Sequence, residues 1–205
     1  LTTGETLDLT GMGKEDIKNG IVRTPLNPDI IFSEDPLRLL RGIRFSAKYN
    51  WKLPMFMLRS MKRNASKLNN ISKERIHEEL NKMLVTDNPH KAIKLLKITG
   101  LLDYVIPELR AAVKMTQNKH HNEKVFDHIL TVLKNSKPDL VTRISALMHD
   151  IGKTMTRTVV NNEVHFYDHE NVGADMTREI LTRLKYPNEI VDAVVISVKN
   201  HMRLK

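Results

Sequence analysis

From Phe32 onward, apolar residues recur at helical spacing. Asp35 followed by Pro36 reads as an N-cap with proline at the first helical position. Beyond it Leu37, Leu40, Ile43 and Ala47 form an apolar stripe, with Arg38, Arg41, Arg44 and Lys48 on an adjacent basic one. Pro54 opens a second predicted helix, reaching about Leu68. Ser72 caps a third, with Ile71 and Ile76 spaced as a hydrophobic staple and Ile76, Leu80, Met83 and Leu84 as its buried face. Asn88–Pro89 opens a fourth, which Gly100 closes. The pattern resumes after a loop containing Pro107 and predicts helices over 123–135, 139–150, 168–185 and 188–200, with Gly152 ending the second of these and a short hairpin over 159–167. The first 30 or so residues differ. Four of the eight glycines, Gly4, Gly11, Gly13 and Gly20, lie there, and β-like pieces such as residues 20–24 sit among turn formers. That stretch predicts the edge of an α/β unit.

Composition narrows the class. The chain has 205 residues, 40% hydrophobic and 28% charged, as a globular protein of one large or two small domains would. With no cysteine, disulfide scaffolds and thiolate metal sites are excluded, and a reducing, cytoplasmic setting is expected. No apolar run approaches the ~20 residues needed to cross a membrane, so no membrane partner is expected. The chain starts at Leu1 rather than Met, which points to residues upstream.

Charge placement changes the picture further. Residues 36–82 hold 12 Lys/Arg and 3 Asp/Glu, a net of +9, equal to the net charge of the whole chain. A concentrated basic surface favours a polyanion through counterion release; a merely solvated basic face is the plain alternative.

Two constellations carry candidate chemistry. Asp35 and Arg38 emerge on one side of a helix start, an acceptor beside a multiple donor. That pair complements the edges of cytosine and adenine, each of which presents an amino donor beside a ring-nitrogen acceptor. On these residues alone, a capping Asp paired with its own helix's Arg is the simpler reading. The second constellation is a set of histidines: seven of nine fall between His120 and His201. His149-Asp150 ends an apolar helix, His128 lies 21 residues upstream, His169 opens a later helix and His201 ends the last. Imidazoles and a carboxylate meeting at helix ends suit Zn²⁺, Mn²⁺, Fe or Ni²⁺. His120, His121 and His165 are read as surface or packing residues.

The run Glu34-Asp35-Pro36-Leu37-Arg38-Leu39-Leu40-Arg41-Gly42-Ile43-Arg44-Phe45 resembles the E-D-P-x-R-x-x-R-x-x-R-F signature of class II CCA-adding enzymes and their poly(A) polymerase relatives. Residues 72–80, Ser-Lys-Glu-Arg-Ile-His-Glu-Glu-Leu, are similar to the family's neck motif S-x-E-R-I-x-x-E-L, with Arg75 at its Arg position. The histidine pattern resembles the HD phosphohydrolase superfamily, with His128, His149, Asp150, His169 and His201 at its ligand positions.

The resemblance implies a mainly α chain: a remnant of an α/β nucleotidyltransferase palm over 1–33, a helical neck over 34–110 and an all-α, truncated HD domain over 111–205. It implies CTP and ATP recognition by Glu34, Asp35, Arg38 and Arg41. It implies tRNA contacts from Arg44, Lys48, Arg59, Lys62, Arg63 and Arg75. The family's Gly-rich loop and D-x-D carboxylates, which hold Mg²⁺ in the palm, have no match in the sequence, so no catalytic residue for nucleotidyl transfer is assigned. The superfamily's last Asp ligand has no match before Lys205, which leaves occupancy of the HD site open. The remaining alternatives are a stand-alone HD phosphohydrolase with a basic RNA-binding neck and a non-catalytic RNA-binding piece.

Overall fold

A computed structural model describes residues 7–118, 121–161 and 163–203; His120 and the side chain of His121 lie outside what it describes. Among the described residues the order is α1 (Gly13–Asn19), α2 (Pro28–Glu34), α3 (Leu37–Lys48), α4 (Met55–Asn64, continuing as a 3₁₀ turn Ala65–Asn70), α5 (Lys73–Leu84), α6 (Pro89–Thr99), α7 (Leu102–Val105) and α8 (Leu109–Lys114). There follow β1 (Thr116–Asn118), β2 (His121–Lys124), α9 (Val125–Asn135), α10 (Leu140–Met148) and α11 (Lys153–Thr156). The chain ends in β3 (Arg157–Val160), β4 (Glu163–Phe166), α12 (His169–Arg183) and α13 (Asn188–Asn200), with a 3₁₀ turn over His201–Arg203.

The mainly helical reading holds, and its caps explain why. Ser72 Oγ accepts from the Arg75 N–H at 3.4 Å, and Ile71 and Ile76 beside it are buried. Gly100 closes α6 in the left-handed region, φ 74°, where a Cβ would be strained. Asp139 Oδ1 caps α10 through the Thr142 N–H at 2.9 Å. Asp35 Oδ1 accepts from the Leu37 N–H at 3.2 Å, so it caps α3 while also ending α2.

Three expectations need correction. Residues 20–24 form only a single bridge, Ile21 to Lys52, not a strand. The next segment is helix α2, fastened to α4: Asp29 accepts from Ser60 Oγ at 2.6 Å, Asn64 Nδ2 at 2.6 Å and Arg63 Nη2 at 2.7 Å. Glycines and prolines outweighed a weak helical signal there, whereas side-chain packing on α4 decided the outcome. Gly152 does not end α10, which stops at Met148. The C-terminal part is not purely α, since it carries antiparallel hairpins β1–β2 and β3–β4; the second was expected, the first was not.

Buried apolar side chains from Ile31 to Val198 form one continuous core. Polar contacts join the two halves around it. The Arg143 side chain, 4% exposed, donates to the carbonyls of Lys137, Leu84 and Thr86. Tyr186 Oη donates to Asn81 Oδ1 at 2.6 Å, and Arg183 Nη2 bonds both Glu108 carboxylate oxygens at 2.7 and 2.8 Å. The helices that carry the histidines are therefore anchored on the neck.

Candidate functional site

Five side chains converge where α9, α10, α12 and α13 meet. Asp150, 1% exposed, lies at the centre. Its Oδ2 is 3.3 Å from His149 Nε2 and 3.6 Å from His128 Nε2; its Oδ1 is 3.6 Å from His169 Nε2 and 3.9 Å from His201 Nε2. One carboxylate thus serves two groups of three possible metal ligands, His128/His149/Asp150 and Asp150/His169/His201.

Local backbone geometry aims the rings. His149 Nδ1 lies 2.9 Å from the Ala146 carbonyl, His169 Nδ1 2.8 Å from Phe166 O, and His201 Nδ1 2.6 Å from Val198 O. A carbonyl can only accept, so each Nδ1 carries a proton, and each Nε2 faces inward as the ring's remaining ligand atom. His169 Nε2 and His201 Nε2 then face each other at 3.2 Å. Two lone pairs at that distance repel unless a proton or a cation lies between them. The donor set therefore fits a divalent ion, with imidazole and carboxylate suiting a borderline transition metal.

Electrostatics agree with this. Burial alone would raise the Asp150 carboxyl, but the hydrogen bond and charge of His149 and the ammonium of Lys153 outweigh it and hold Asp150 ionised well below the usual range. Burial, with the nearby His149, keeps the His201 imidazole below its ordinary value, against the pull of the Val198 carbonyl. An ionised carboxylate is the form in which Asp150 can bind a metal. Lys153 Nζ, 2.8 Å from Asp150 Oδ2, was missed in the sequence reading; its signal is a lysine three residues after the His-Asp pair on a short helix.

Close backbone approach holds the centre together. A Cβ on Gly152 would lie 2.1 Å from His169 O and 2.6 Å from Gly173 N, so only glycine lets the turn after Asp150 sit against the start of α12. Asp168, at φ 61°, makes the left-handed turn from β4 into His169. His165 stacks on Tyr167 at 5.2 Å, in keeping with a packing role.

The other constellation, Asp35 and Arg38, forms a corner at the start of α3. Arg38 and Arg41 line a cavity of about 270 Å³ with Phe32, Phe45, Met57 and the 22–25 segment. Asp35 does not line it; it lies 3.7 Å from Arg38 Nε and 3.9 Å from Arg75 Nη2. Glu34 is exposed at the end of α2. The apolar floor from Phe32 and Phe45 was not singled out in the sequence, because aromatic residues at helical spacing read as ordinary core. Of the basic candidates, Lys48, Arg59 and Lys62 are exposed. Arg63 is exposed but paired with Asp29, and Arg44 Nε lies 2.9 Å from the buried Glu79. Lys62 borders a groove with Lys97, Arg110 and Lys114.

Fold and centre together define an HD-domain protein with a basic helical neck. A family model described as "Probable RNA and SrmB- binding site of polymerase A" matches residues 57–113, and the HD domain model matches 119–205. The A-adding tRNA nucleotidyltransferase of Deinococcus radiodurans is 32% identical over 202 residues, 93% of this chain and 46% of that protein. The CC-adding tRNA nucleotidyltransferase of Thermus thermophilus is 31% identical, covering 97% of this chain and 48% of that protein. The multifunctional CCA protein of Haemophilus influenzae is 33% identical, over 98% and 51%. Among solved structures, the Bacillus stearothermophilus CCA-adding enzyme in complex with CTP shares the fold, with a TM-score of 0.61 at 22% identity over 93% of this chain and 40% of that one. This chain belongs to the tRNA nucleotidyltransferase and poly(A) polymerase family, in its neck and HD regions. It spans about half the length of the curated relatives it matches.

Proposed function

We propose that the chain is the nucleotide-selecting neck and HD portion of a tRNA nucleotidyltransferase that adds C and A residues to tRNA 3′ ends from CTP and ATP. The observation that carries this is similarity at 31–33% identity along 93–98% of the chain to proteins named for such addition. We divide it into a palm edge over 1–33, a neck over 34–110 and an HD domain over 111–205. Asp35 and Arg38 read the base edge, Arg41 stands in the cavity wall with Glu34 beside it at the end of α2, and Mg²⁺ acts in a palm outside these residues. The relatives are named for A, CC or CCA addition, and CCA addition is the reading that includes both nucleotides. Lys48, Arg59, Lys62 and Arg75 present positive charge to the tRNA backbone, and Arg44 and Arg63 reach it after leaving their internal pairs. We assign a cytoplasmic setting, supported by the absence of cysteine and of any helix, among the described residues, long and apolar enough to cross a membrane.

In the HD centre, His128, His149, Asp150, His169 and His201 would hold one or two ions of Ni²⁺, Mn²⁺, Zn²⁺ or Fe. Such an ion supplies Lewis acidity and a water acidified enough to attack a phosphate ester. The chain's own part is to fix the Nε2 lone pairs through the backbone carbonyls, keep Asp150 ionised and place the Lys153 ammonium beside it.

The test uses the complete enzyme with tRNA lacking its 3′ CCA. Asp35→Ala and Arg38→Ala should relax selection for C and A over U and G by about 1–3 kcal/mol, a good bidentate base contact, while triphosphate binding changes less. Wild-type base choice in both variants would reduce the pair to a helix cap.

A further inference from the structure

The far end of α3 carries a row of aromatic rings. Phe45 and Tyr49 are spaced i, i+4, so they emerge on one face of the helix. Their rings are nearly parallel, 17° apart, with centroids at 6.3 Å. Trp51 follows just past the helix end, its ring centroid 5.1 Å from that of Tyr49. Phe45 also lines the cavity that holds Arg38 and Arg41. The row therefore starts at that cavity and continues beyond it through two further rings.

Backbone contacts fix the outer ring. Asn50, at φ 55°, makes the left-handed turn between Tyr49 and Trp51. The Trp51 carbonyl accepts from Ser46 Oγ at 2.6 Å and from Lys91 Nζ at 2.8 Å. The Lys52 N–H donates to Gly20 O at 2.7 Å, and its carbonyl accepts from the Val22 N–H at 2.8 Å. A Cβ on Gly20 would lie 3.1 Å from Trp51 Cδ1, so bare glycine backbone lies against the indole. Trp51 is thus a fixed wall, while Tyr49, leaning on it, is 48% exposed. A single exposed tyrosine is ordinary. This one stands in a row of three rings with cations over two of them. Arg44 Cζ lies 4.6 Å from the Phe45 centroid, and Lys48 Nζ lies 5.2 Å from that of Tyr49. Around them, residues 36–60 hold six Lys/Arg and no Asp/Glu.

We propose that Phe45, Tyr49 and Trp51 form a stacking platform for the unpaired bases of an RNA strand, with Tyr49 as its exposed step. An apolar partner would cover the rings and leave the cations unanswered. An acidic peptide would answer the cations and leave the ring faces bare. An unpaired strand answers both, with phosphates for Arg44 and Lys48 and flat bases for the rings. A duplex keeps its base faces stacked internally, so the fit is to a single strand. Lys48 is exposed, and its ammonium turns to a phosphate as a base takes the ring beneath it. Stacking of this kind tolerates any base, so it complements the base-edge selection assigned to Asp35 and Arg38 rather than repeating it. The proposal takes from the function proposed above only that the strand is RNA.

Trp51 is the only tryptophan in the chain, so its emission reports on the platform directly. The experiment titrates the chain with an oligoadenylate of about eight nucleotides and with an abasic strand of the same length, which keeps the phosphates and lacks the bases. Polarisation of a label on the strand gives affinity, and quenching of Trp51 gives location. The expected result is that oligoadenylate quenches Trp51 and binds at least about fivefold tighter than the abasic strand, the smaller end of what one base stacked on a ring contributes. Tyr49→Ala and Tyr49→Leu should both lose that advantage and keep abasic binding, whereas Tyr49→Phe should retain it. Leucine preserves apolar bulk against Trp51, so a loss shared by Ala and Leu but not by Phe belongs to the ring. Equal binding of the two strands by the wild type, or an undiminished advantage in Tyr49→Leu, would overturn the proposal. A base advantage without quenching of Trp51 would overturn it as well, because the stack would then lie elsewhere. Either failure spares the base-selecting corner, whose readout is the choice among triphosphates in the complete enzyme. A Tyr49-dependent base advantage supports the platform even where Asp35→Ala and Arg38→Ala keep wild-type base choice.

Discussion

Gly152→Ala would strike the HD centre without touching a ligand. The added Cβ would sit 2.1 Å from His169 O, 2.6 Å from Gly173 N and 2.9 Å from Gly173 Cα, all backbone atoms of α12 that no rotamer change can move. Relief requires the turn after Asp150 and the first turn of α12 to separate by on the order of 1 Å. Overpacking of a well-filled interior costs typically 1–3 kcal/mol, and a backbone clash belongs at the upper end, about 3 kcal/mol. For a chain of this size that lowers Tm by about 6–12 °C. The same shift separates Asp150 from His169, whose atoms now lie 3.6 Å apart. Metal sites tolerate only about 0.2 Å in ligand distance, so divalent-ion affinity should fall by at least about tenfold. Thermal unfolding and Co²⁺ titration read both effects. Gly100→Ala is the control: its φ of 74° is strained for alanine, but nothing lies within 4 Å, so it should cost only about 1–2 kcal/mol and leave metal affinity alone. If Gly152→Ala melted within about 1 °C of wild type and bound metal equally well, the close-approach argument would be wrong.

Two further expectations follow from the neck. The Arg63 guanidinium, with Ser60 and Asn64, holds the Asp29 carboxyl down at about 2 against the opposing effect of burial. Because the folded state binds this proton less tightly, the stabilisation is complete above the unfolded value of about 3.9 and disappears as pH falls through about 2. Asp29→Asn should therefore cost at most about 1 kcal/mol in urea unfolding at pH 7, a figure reduced for the exposure of the pair, and the gap should narrow below about pH 4; a gap independent of pH would refute the assignment. In the complete enzyme, Arg59→Glu with Lys62→Glu should flatten the log–log salt dependence of tRNA binding by about 1 to 2, and an unchanged slope would make these residues an ordinary solvated face.

Much of this molecule was readable from pattern, for identifiable reasons. The Ser72 cap, the Gly100 stop and the four long C-terminal helices are local signals, and tertiary packing agreed with them. The five metal candidates were readable because each lies on α9 or at the start or end of α10, α12 or α13, where the chain pattern placed them. What escaped depends on contacts distant in sequence. Helix α2 is short and proline-led, and its partner α4 lies some 30 residues on, joined through Asp29. Arg44 reads as a surface cation until Glu79 arrives from α5. Gly152 reads as a helix stop, but its function is the contact with α12, invisible before the two segments are packed.

The central claim is that the five converged side chains form a divalent-metal centre. Titrating the chain, Asp150→Asn and His149→Ala with Co²⁺, followed by absorption, tests it most directly. The account predicts saturable binding to the wild type, abolished in Asp150→Asn, whose carboxylate serves both ligand groups, and weakened at least about tenfold in His149→Ala. No saturable binding by the wild type, or equal binding by all three proteins, would contradict it and leave the His-Asp pair a packing element.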